Sequence, residues 1–327
     1  MNHSLKNQFN VKPGTLIEGK WHRKQYKIIR ELGFGANGIV YLAQFSNQPV
    51  ALKMSDNGMS ITSEVNVLKS FAKVQGSALG PSLLDVDDWQ HRGGQISFYV
   101  MEYIQGPDLL TFIQQNGQVW AEVLILQLLN DLHTLHQNGW VFGDLKPDNL
   151  IVTGPPVRIR CIDVGGTTIQ GRAIKEFTEF FDRGYWGLGS RKADPGYDLF
   201  AVAMILINTS YPKRFNKTSG DLKQLEAAIK GKNELEKYES ILLHALKGNF
   251  TSAREMRATM LQLNQPQSDQ NKRQPQRKQT QTRQSANRGA SRRYYTKKKR
   301  RSGLFETILI FIIISLLYLF YIYGQLT

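Results

Sequence analysis

A glycine-rich turn near the start of the chain could hold phosphate groups. The stretch L-G-F-G-A-N-G-I-V, residues 32–40, places Gly33, Gly35 and Gly38 in a G-x-G-x-x-G pattern, with Val40 two residues later. Glycines let backbone N–H groups approach phosphates closely. A strand pattern precedes and follows this turn, whereas a dinucleotide-binding fold needs a helix after the glycines. Taken alone, the pattern is also compatible with an ordinary glycine-rich hairpin.

A lysine follows in an otherwise apolar strand. Lys53 lies in V-A-L-K-M, fifteen residues beyond Gly38, where its charge packs poorly unless it has a partner. The functional interpretation is contact with the α- and β-phosphates of a nucleotide, with an acid on the next helix orienting the lysine. Glu64 is the first acid of that helix. The alternative is an edge-strand lysine directed to solvent.

Three further segments complete a resemblance to Hanks-type, eukaryotic-like protein kinases. M-E-Y-I-Q-G-P-D-L-L (101–110) resembles the hinge with Met101 as gatekeeper, G-D-L-K-P-D-N-L-I-V (143–152) the catalytic loop, and C-I-D-V-G-G (161–166) the metal motif. The resemblance implies an α+β, two-lobed kinase fold with a small β-rich N-lobe and a helical C-lobe. It also implies transfer of the ATP γ-phosphate to serine or threonine hydroxyls of proteins.

The same resemblance implies a role for each charged residue. Asp144 would accept or orient the proton of the attacking hydroxyl, and Lys146, typical of Ser/Thr kinases, would lie near the γ-phosphate. Asn149 and Asp163 would bind Mg²⁺, or Mn²⁺, while Asp198 would hold the catalytic loop. The implied ATP-binding residues are Gly33, Phe34, Gly35, Ala36, Asn37, Gly38, Val40, Lys53, Glu64, Glu102 and Ile104.

More closely, the chain resembles the YabT type of bacterial kinase, which has a compact kinase domain, a basic linker and a C-terminal membrane span. The stretches that carry this match are S-I-T-S-E-V-N-V-L-K-S-F (60–71), F-G-D-L-K-P-D-N-L-I-V-T-G-P-P (142–156) and R-I-R-C-I-D-V-G-G-T-T (158–168). The match implies a role in sporulation. Autophosphorylation is also expected, and the sequence leaves open a transient homodimer in which one copy phosphorylates the other.

The catalytic and metal motifs depart from the family at three positions. Phe142 and Gly143 replace the usual His-Arg, and Val164 replaces the Phe of Asp-Phe-Gly. Phe142 and Val164 can fill the same apolar space. The missing Arg normally pairs with a phosphate on the activation loop, so we expect activity to depend less on loop phosphorylation.

The Ala-Pro-Glu region also departs from the family. The sequence aligns Gly189 with the usual Glu and Asp182 with the usual Thr, which bears on substrate docking rather than on chemistry. The Arg that pairs with this Glu is missing around positions 248–249, so both partners are lost together. The candidate autophosphorylation sites of this segment are Thr167, Thr168, Thr178 and Ser190.

Two other functions stay open at this point. The G-D-L start of the catalytic loop is common in aminoglycoside- and choline-kinase-like enzymes, which favours a small-molecule or lipid kinase. Those enzymes usually carry His-x-x-Asn, however, where this chain has Lys-Pro-Asp-Asn. A pseudokinase scaffold is the other alternative, although pseudokinases typically lose an ionic residue that is present here.

The elements that position these residues follow from hydrophobic periodicity. Strands are predicted over 26–33, 38–45, 49–54 and 97–104, and a helix over 61–74. A hairpin is predicted to turn at 154–156. The remaining helices are predicted over roughly 109–115, 119–138, 198–209, 221–230, 234–247 and 252–263.

Composition divides the 327 residues into zones. Residues 1–264 are mixed and are predicted to form the kinase domain, with the N-lobe at about 20–105 and the C-lobe at about 106–264. Residues 265–303 are rich in Gln, Arg, Lys and Ser and predict a disordered linker. Residues 304–324 predict a transmembrane helix, followed by a short outer tail at 325–327. The single cysteine, Cys161, excludes an intrachain disulfide.

The net charge of +15 is concentrated in the linker, where residues 265–301 carry thirteen Lys or Arg and one Asp. The K-K-K-R-R run at 297–301 predicts a cell-membrane protein whose kinase domain is cytoplasmic. We expect the linker to bind DNA non-specifically, with binding to anionic membrane lipids alone as the alternative. The candidate DNA-binding residues are Lys272, Arg273, Arg277, Lys278, Arg283, Arg288, Arg292 and Arg293.

Overall fold

A six-stranded antiparallel sheet occupies the first part of the protein. The computed structural model describes residues 11–35, 38–73, 79–91, 94–218 and 222–263. The strands are β1 (Leu16–Glu18), β2 (Gln25–Gly35), β3 (Gly38–Phe45), β4 (Gln48–Ser55), β5 (Leu83–His91) and β6 (Gly94–Glu102), in the order β1-β2-β3-β4-β6-β5. Alternate side chains of β3, such as Ile39 and Tyr41, are buried, as expected for a strand with one face on the core.

The sheet curls until its two edges meet. Gly19, just after β1, forms an isolated bridge with Trp89 of β5, and the Lys20 N–H donates to the Asp88 carbonyl at 2.8 Å. Helix α1 (Gly58–Lys73) follows β4 and contacts β4, β5 and β6. The strand register pairs Lys53 of β4 with Val40 on one side and Tyr99 on the other. This register brings the lysine next to the glycine-rich turn between β2 and β3.

Helices dominate after residue 108. They are α2 (Leu109–Asn116), α3 (Val119–Gln137), α4 (Pro195–Ser210), α5 (Leu222–Lys230), α6 (Asn233–Glu236), α7 (Glu239–Leu246) and α8 (Ala253–Gln262). Helix α4 begins at an Asp194 cap followed by Pro195, and every residue from 197 to 208 is buried. It is therefore the central helix, and contacts α3 and α7.

Two small two-stranded sheets lie between α3 and α4. Strand β7 (Trp140–Val141) pairs with β10 (Thr168–Ile169), and β8 (Leu150–Thr153) pairs with β9 (Arg158–Cys161). A 3₁₀ turn at Pro147–Asn149 joins β7 to β8. These two small sheets hold the two loops that carry the predicted catalytic and metal residues.

The structure confirms the α+β organisation but corrects two element predictions. The predicted helix over 234–247 is two helices, α6 and α7, because the chain breaks where Tyr238 turns inward and donates to Glu122 Oε2 at 2.6 Å. Strand β5 was not predicted, because it contains three aspartates, a residue type depleted in strands. Asp85 and Asp87 of β5 are buried and hydrogen-bonded.

The predicted linker over 265–303 and the predicted membrane span over 304–324 lie outside the described residues. Within the described ranges, none of the helices is long and apolar enough to cross a bilayer.

Candidate active site

A buried ion pair links β4 to α1. Lys53 Nζ lies 2.6 Å from Glu64 Oε2, and both side chains are buried. The Asp163 Oδ1 atom lies 3.8 Å from the same ammonium. Burial by itself lowers the pKa of Lys53, but the charges of Asp163 and Glu64 outweigh this effect and raise the pKa above its ordinary value. Lys53 is therefore a cation at neutral pH, held where β4 and α1 meet.

Glu64 is fixed by two further groups that the sequence did not reveal. The Tyr99 hydroxyl donates to Glu64 Oε2 at 2.7 Å, and the Ser60 hydroxyl donates to Oε1 at 3.3 Å. Burial, followed by the charge of Glu64, raises the pKa of Tyr99 well above its ordinary value, so this hydroxyl stays protonated and able to donate. Tyr99 lies opposite Lys53 in the register between β4 and β6, which places its hydroxyl near Glu64. The sequence alone does not give this register, so it does not indicate the contact between Tyr99 and Glu64.

The glycine-rich turn leaves open space above β2 and β3. A Cβ atom built on Gly33 or Gly35 would meet no heavy atom within 4 Å, so packing does not require glycine there. Gly38 differs, because its φ is +128° and a Cβ would lie 2.1 Å from the Met54 carbonyl oxygen. Phe34 packs against the core of the sheet. The predicted residues Ala36 and Asn37 lie outside the described part of the chain. The open space fits a ligand bound through backbone N–H groups.

The catalytic-loop residues form one hydrogen-bonded cluster. Lys146 Nζ donates to Asp144 Oδ2 at 2.5 Å and to Thr178 Oγ1 at 3.1 Å. The Thr178 hydroxyl in turn donates to Asp144 Oδ1 at 2.8 Å. Both Asp144 oxygens therefore have a partner, and the carboxylate orientation is fixed. The cluster can take a proton from an incoming hydroxyl and offset negative charge beside it.

The alignment of Asp182 with the usual threonine is wrong, because Thr178 makes the contacts to the catalytic loop. Asp182 is fully buried and accepts hydrogen bonds from its own segment and from α4. Its donors are the Gly184 and Tyr185 backbone N–H groups, Arg191 Nε and the Tyr197 hydroxyl. Asp182 therefore anchors the segment rather than docking substrate. The error arose because the segment has no periodic pattern that would set the alignment.

Asn149 and Asp163 offer oxygen ligands of the kind that Mg²⁺ prefers. The Asn149 amide nitrogen donates to the Asp144 carbonyl at 3.1 Å, which leaves its amide oxygen for a cation. Asp163 Oδ1 accepts from the Gly165 N–H at 3.0 Å, and the carboxylate is about half exposed. One carboxylate, one amide oxygen and access to water fit a magnesium ion that also contacts phosphate oxygens.

The departures at 142–143 have a structural reason. Gly143 has a φ of +88°, and a Cβ there would lie 2.6 Å from the Gly166 carbonyl oxygen. The backbone N–H groups of Phe142 and Gly143 both donate to Asp198, at 2.8 and 3.0 Å, while His136 Nε2 lies 2.9 Å from the same carboxylate. A side chain at 143 is therefore excluded by the close approach of the two loops. Phe142 is buried in the main core with Val164.

The predicted hinge residues follow β6. Glu102 pairs with Arg160 through two contacts of 2.9 Å, and the hydrogen bonds from Arg160 are the main reason that the pKa of Glu102 lies below its ordinary value. The Glu102 N–H donates to the Ser82 carbonyl. Within the described residues, the Ile104 backbone forms no hydrogen bond, so its N–H is free for a ligand such as adenine.

Comparison with known proteins matches this chain to a single family. A model of the protein kinase domain matches residues 26–282. Serine/threonine-protein kinase YabT of Bacillus subtilis (strain 168) is 53% identical over 322 residues, which is 96% of this chain and 95% of that protein. A probable serine/threonine-protein kinase of Clostridium acetobutylicum is 30% identical over 46% of this chain and 23% of its own length. Serine/threonine-protein kinase PknD of Mycobacterium tuberculosis is 26% identical over 58% of this chain and 26% of its own length.

Proposed function

The chain belongs to the protein kinase family and is an ATP-dependent serine/threonine protein kinase, and from this premise we propose a more specific function. It is a membrane-anchored kinase that phosphorylates other proteins and itself, under the control of its basic linker. The observation that supports the catalytic part best is the Asp144–Lys146–Thr178 cluster, which occurs together with the Lys53–Glu64 ion pair. The small-molecule, lipid and pseudokinase alternatives are not supported by the comparisons.

Each residue of the site has a distinct task in the proposed mechanism. Asp144 accepts the proton of the substrate hydroxyl as it attacks the γ-phosphate of ATP, and Lys146 offsets the negative charge that develops there. Lys53, held by Glu64, contacts the α- and β-phosphates. Asn149 and Asp163 would hold Mg²⁺, or Mn²⁺, which supplies positive charge to the phosphate oxygens. The glycine-rich turn, including Val40, and the hinge around Ile104 bind the nucleotide.

Phosphate incorporation from labelled ATP tests this assignment. The full chain is incubated with Mg²⁺ and a mixed protein substrate, beside the Asp144→Asn and Lys53→Ala variants. Losing a positioned base costs about 10²- to 10⁴-fold in rate, so Asp144→Asn should be nearly inactive while its nucleotide binding persists. Lys53→Ala loses the cation that contacts the α- and β-phosphates and should also be nearly inactive. Lys230→Ala, on α5 and mostly exposed, is the control. Full activity of Asp144→Asn would contradict the proposed role.

Exposure favours Ser190 as the autophosphorylation site. Thr167 and Thr168 are buried, and the Thr178 hydroxyl is bonded within the catalytic cluster. Ser190 is exposed, and its hydroxyl accepts only a 3.4 Å contact from the Lys192 N–H among the described residues. A second copy, in a transient homodimer, could reach it. Mixing tagged Asp144→Asn protein with active protein tests this, since phosphate on Ser190 of the inactive copy requires transfer between molecules.

The apolar segment at 304–324 supports membrane anchoring. The Lys and Arg residues at 297–301 precede it, which supports a cytoplasmic kinase domain and contact with anionic membrane lipids. Cell fractionation of the full chain, beside a chain ending at residue 301, tests the proposal. Full-length protein that stays in the soluble fraction would contradict it.

We extend the proposal to the linker over 265–301, which carries thirteen Lys or Arg residues and one Asp. Lys and Arg residues spaced among Gln, Ser and Asn can bind the phosphates of a nucleic-acid backbone, and such contacts do not depend on the base sequence. Several kinases on one DNA molecule would have a raised effective concentration, which favours phosphorylation between copies. The alternative is anionic lipid alone, which predicts liposome binding by this segment without a gel shift on DNA.

A further inference from the structure

An ion pair beside the catalytic loop takes no part in the mechanism described above. Asp148 lies in the 3₁₀ turn that follows Lys146, and Arg214 lies between α4 and α5, 66 residues away. The Arg214 Nη2 atom contacts Asp148 Oδ2 directly. Both side chains remain partly exposed, Asp148 at 57% and Arg214 at 35%. The pair is therefore at the surface, where an incoming protein could contact it.

Arg214 is held in place by a second contact, on the activation segment. Its guanidinium lies over the Phe181 ring, 4.9 Å from the ring centroid. Phe181 follows Thr178 by three residues, and the Thr178 hydroxyl is bonded to Asp144. Arg214 thus bridges the catalytic loop and the end of the activation segment. Asp148 follows Asp144 by four residues, and Phe181 follows Thr178 by three, so both contacts of Arg214 lie close in sequence to the catalytic cluster.

The segment that carries Arg214 is basic. Residues 211–218, Y-P-K-R-F-N-K-T, carry three basic residues and no acid. Lys213 is exposed, and Lys217 lies over the Tyr185 ring at 4.9 Å and donates to the Tyr185 carbonyl. Asp148 would attract cationic residues of a substrate, but Arg214 neutralises it. The remaining lysines then favour acidic residues and disfavour basic ones.

We propose that Arg214 is a specificity-determining residue and that this kinase prefers serine or threonine acceptors flanked by Asp or Glu. The inference rests on the proposed catalytic function and adds the substrate class. Arg214 neutralises the carboxylate of Asp148, so that this part of the surface carries no net negative charge toward the residues beside the acceptor. Its loss leaves the Asp148 carboxylate unpaired and changes the local net charge by one negative unit.

Three peptides of equal length test the proposal on the full chain. Each has one serine, flanked by Asp and Glu, by Asn and Gln, or by Arg and Lys, and kcat/KM is measured for each. We expect the acidic peptide to exceed the basic one by about tenfold at low salt, with the ratio falling as salt rises. Arg214→Ala should lower the acidic-to-basic ratio by about two- to fivefold, the size of effect expected between exposed charges. Arg214→Lys should keep part of it, and Lys230→Ala should leave it unchanged.

The neutral peptide and autophosphorylation separate failure of the inference from failure of the catalytic function. A wild-type preference for the basic peptide, or an unchanged ratio in Arg214→Ala, overturns the role of Arg214 while the kinase itself stands. If the chain phosphorylates itself but none of the peptides, the three peptides are compared as competitors of autophosphorylation, where the acidic one must compete best. A chain that transfers phosphate to no acceptor at all overturns both the function and the inference.

Discussion

Gly143 shows how one residue excludes the family's usual side chain. Its φ is +88°, and a Cβ at this position would lie 2.6 Å from the Gly166 carbonyl oxygen, so both the backbone and the contact require glycine. Gly171 has the same φ of +88°, but a Cβ there would meet nothing within 4 Å. At Gly171 an alanine would incur only the energetic cost of the backbone conformation. At Gly143 it would also incur the cost of the contact with the Gly166 carbonyl oxygen.

We predict that Gly143→Ala destabilises the fold more than Gly171→Ala does. The conformational cost for Ala at positive φ is about 1–2 kcal/mol at either position, but only Gly143→Ala also pushes the catalytic loop away from the Gly166 carbonyl. Chemical unfolding and the transfer rate are measured for both variants. We expect Gly171→Ala to retain its transfer rate and Gly143→Ala to lose it. Equal loss of rate in the two variants would contradict the contact argument.

The Thr178 hydroxyl gives a second prediction at this scale. It connects Lys146 to Asp144, and a hydrogen bond to a charged group contributes about 1.5–3 kcal/mol. Thr178→Val keeps the shape and removes the hydroxyl, so kcat should fall by about 10- to 100-fold. Thr178→Ser keeps the hydroxyl and should retain most of the activity. A Thr178→Val enzyme with normal kcat would show that the cluster does not depend on this bond.

At the scale of elements, β5 is joined to the turn after β1 by buried carboxylates. Asp87 accepts from the Trp21 and His22 backbone N–H groups at 2.9 and 2.8 Å. Asp85 accepts from the Tyr26 hydroxyl at 2.6 Å, and lies near His22 and Lys24. A Cβ on Gly19 would lie 2.3 Å from Asp87 Oδ2, so only glycine allows this approach. These bonds close the curled sheet.

The two carboxylates predict acid sensitivity of the sheet. Burial by itself raises both pKa values, but the hydrogen bonds from Tyr26 and His22 to Asp85, and from His22 and Trp21 to Asp87, lower them below the ordinary value. A carboxyl whose pKa is lowered by folding stabilises the fold above its unfolded pKa of about 3.9 and loses that contribution as the pH falls through the folded pKa. We therefore expect the free energy of unfolding to decrease below about pH 4.

Urea unfolding between pH 3 and pH 7 measures this effect. Asp87→Asn should unfold more easily at pH 7 and should show a shallower fall in stability with acid than the wild type. Asp56→Asn, exposed after β4, is the matched control and should behave like the wild type. A wild-type stability that stays constant down to pH 3 would count against the role given to these carboxylates.

How far sequence predicts this site differs from element to element. The strand with Lys53 and the helix with Glu64 could be predicted, because local periodicity and a charged residue in an apolar strand identify them. Strand β5 could not, since its two buried aspartates accept hydrogen bonds from groups 59 to 66 residues away in sequence, in β2 and in the turn after β1. The sequence marks Thr178 only as a candidate autophosphorylation site, and its place in the catalytic cluster is not predictable because the activation segment lacks regular structure. Side-chain pairs such as Arg183–Asp194, 11 residues apart in sequence, fix the position of this segment.

At the scale of the whole molecule, the basic linker should couple nucleic acid to activity. Residues 265–301 hold most of the net charge, whereas the kinase domain is nearly balanced. If the linker neutralises several phosphates, the logarithm of DNA affinity should fall with the logarithm of salt concentration by about 0.9 per phosphate. Deleting 265–301 should remove both this binding and any stimulation of autophosphorylation by DNA, while the basal transfer rate of the kinase domain remains.

DNA length distinguishes this mechanism from a conformational effect of DNA on one kinase. Kinase copies bound to one DNA molecule phosphorylate each other only if the DNA is long enough to hold at least two copies. Short duplexes should therefore bind the kinase without stimulating autophosphorylation. An excess of long DNA should spread the copies over many DNA molecules and reverse the stimulation. Replacing the eight Lys and Arg residues within 272–293 by Gln, with 297–301 retained, separates DNA contact from lipid contact. Stimulation by short duplexes, or unchanged DNA affinity in that variant, would contradict the proposal. Loss of liposome binding in that variant without change on DNA would assign the linker to lipid.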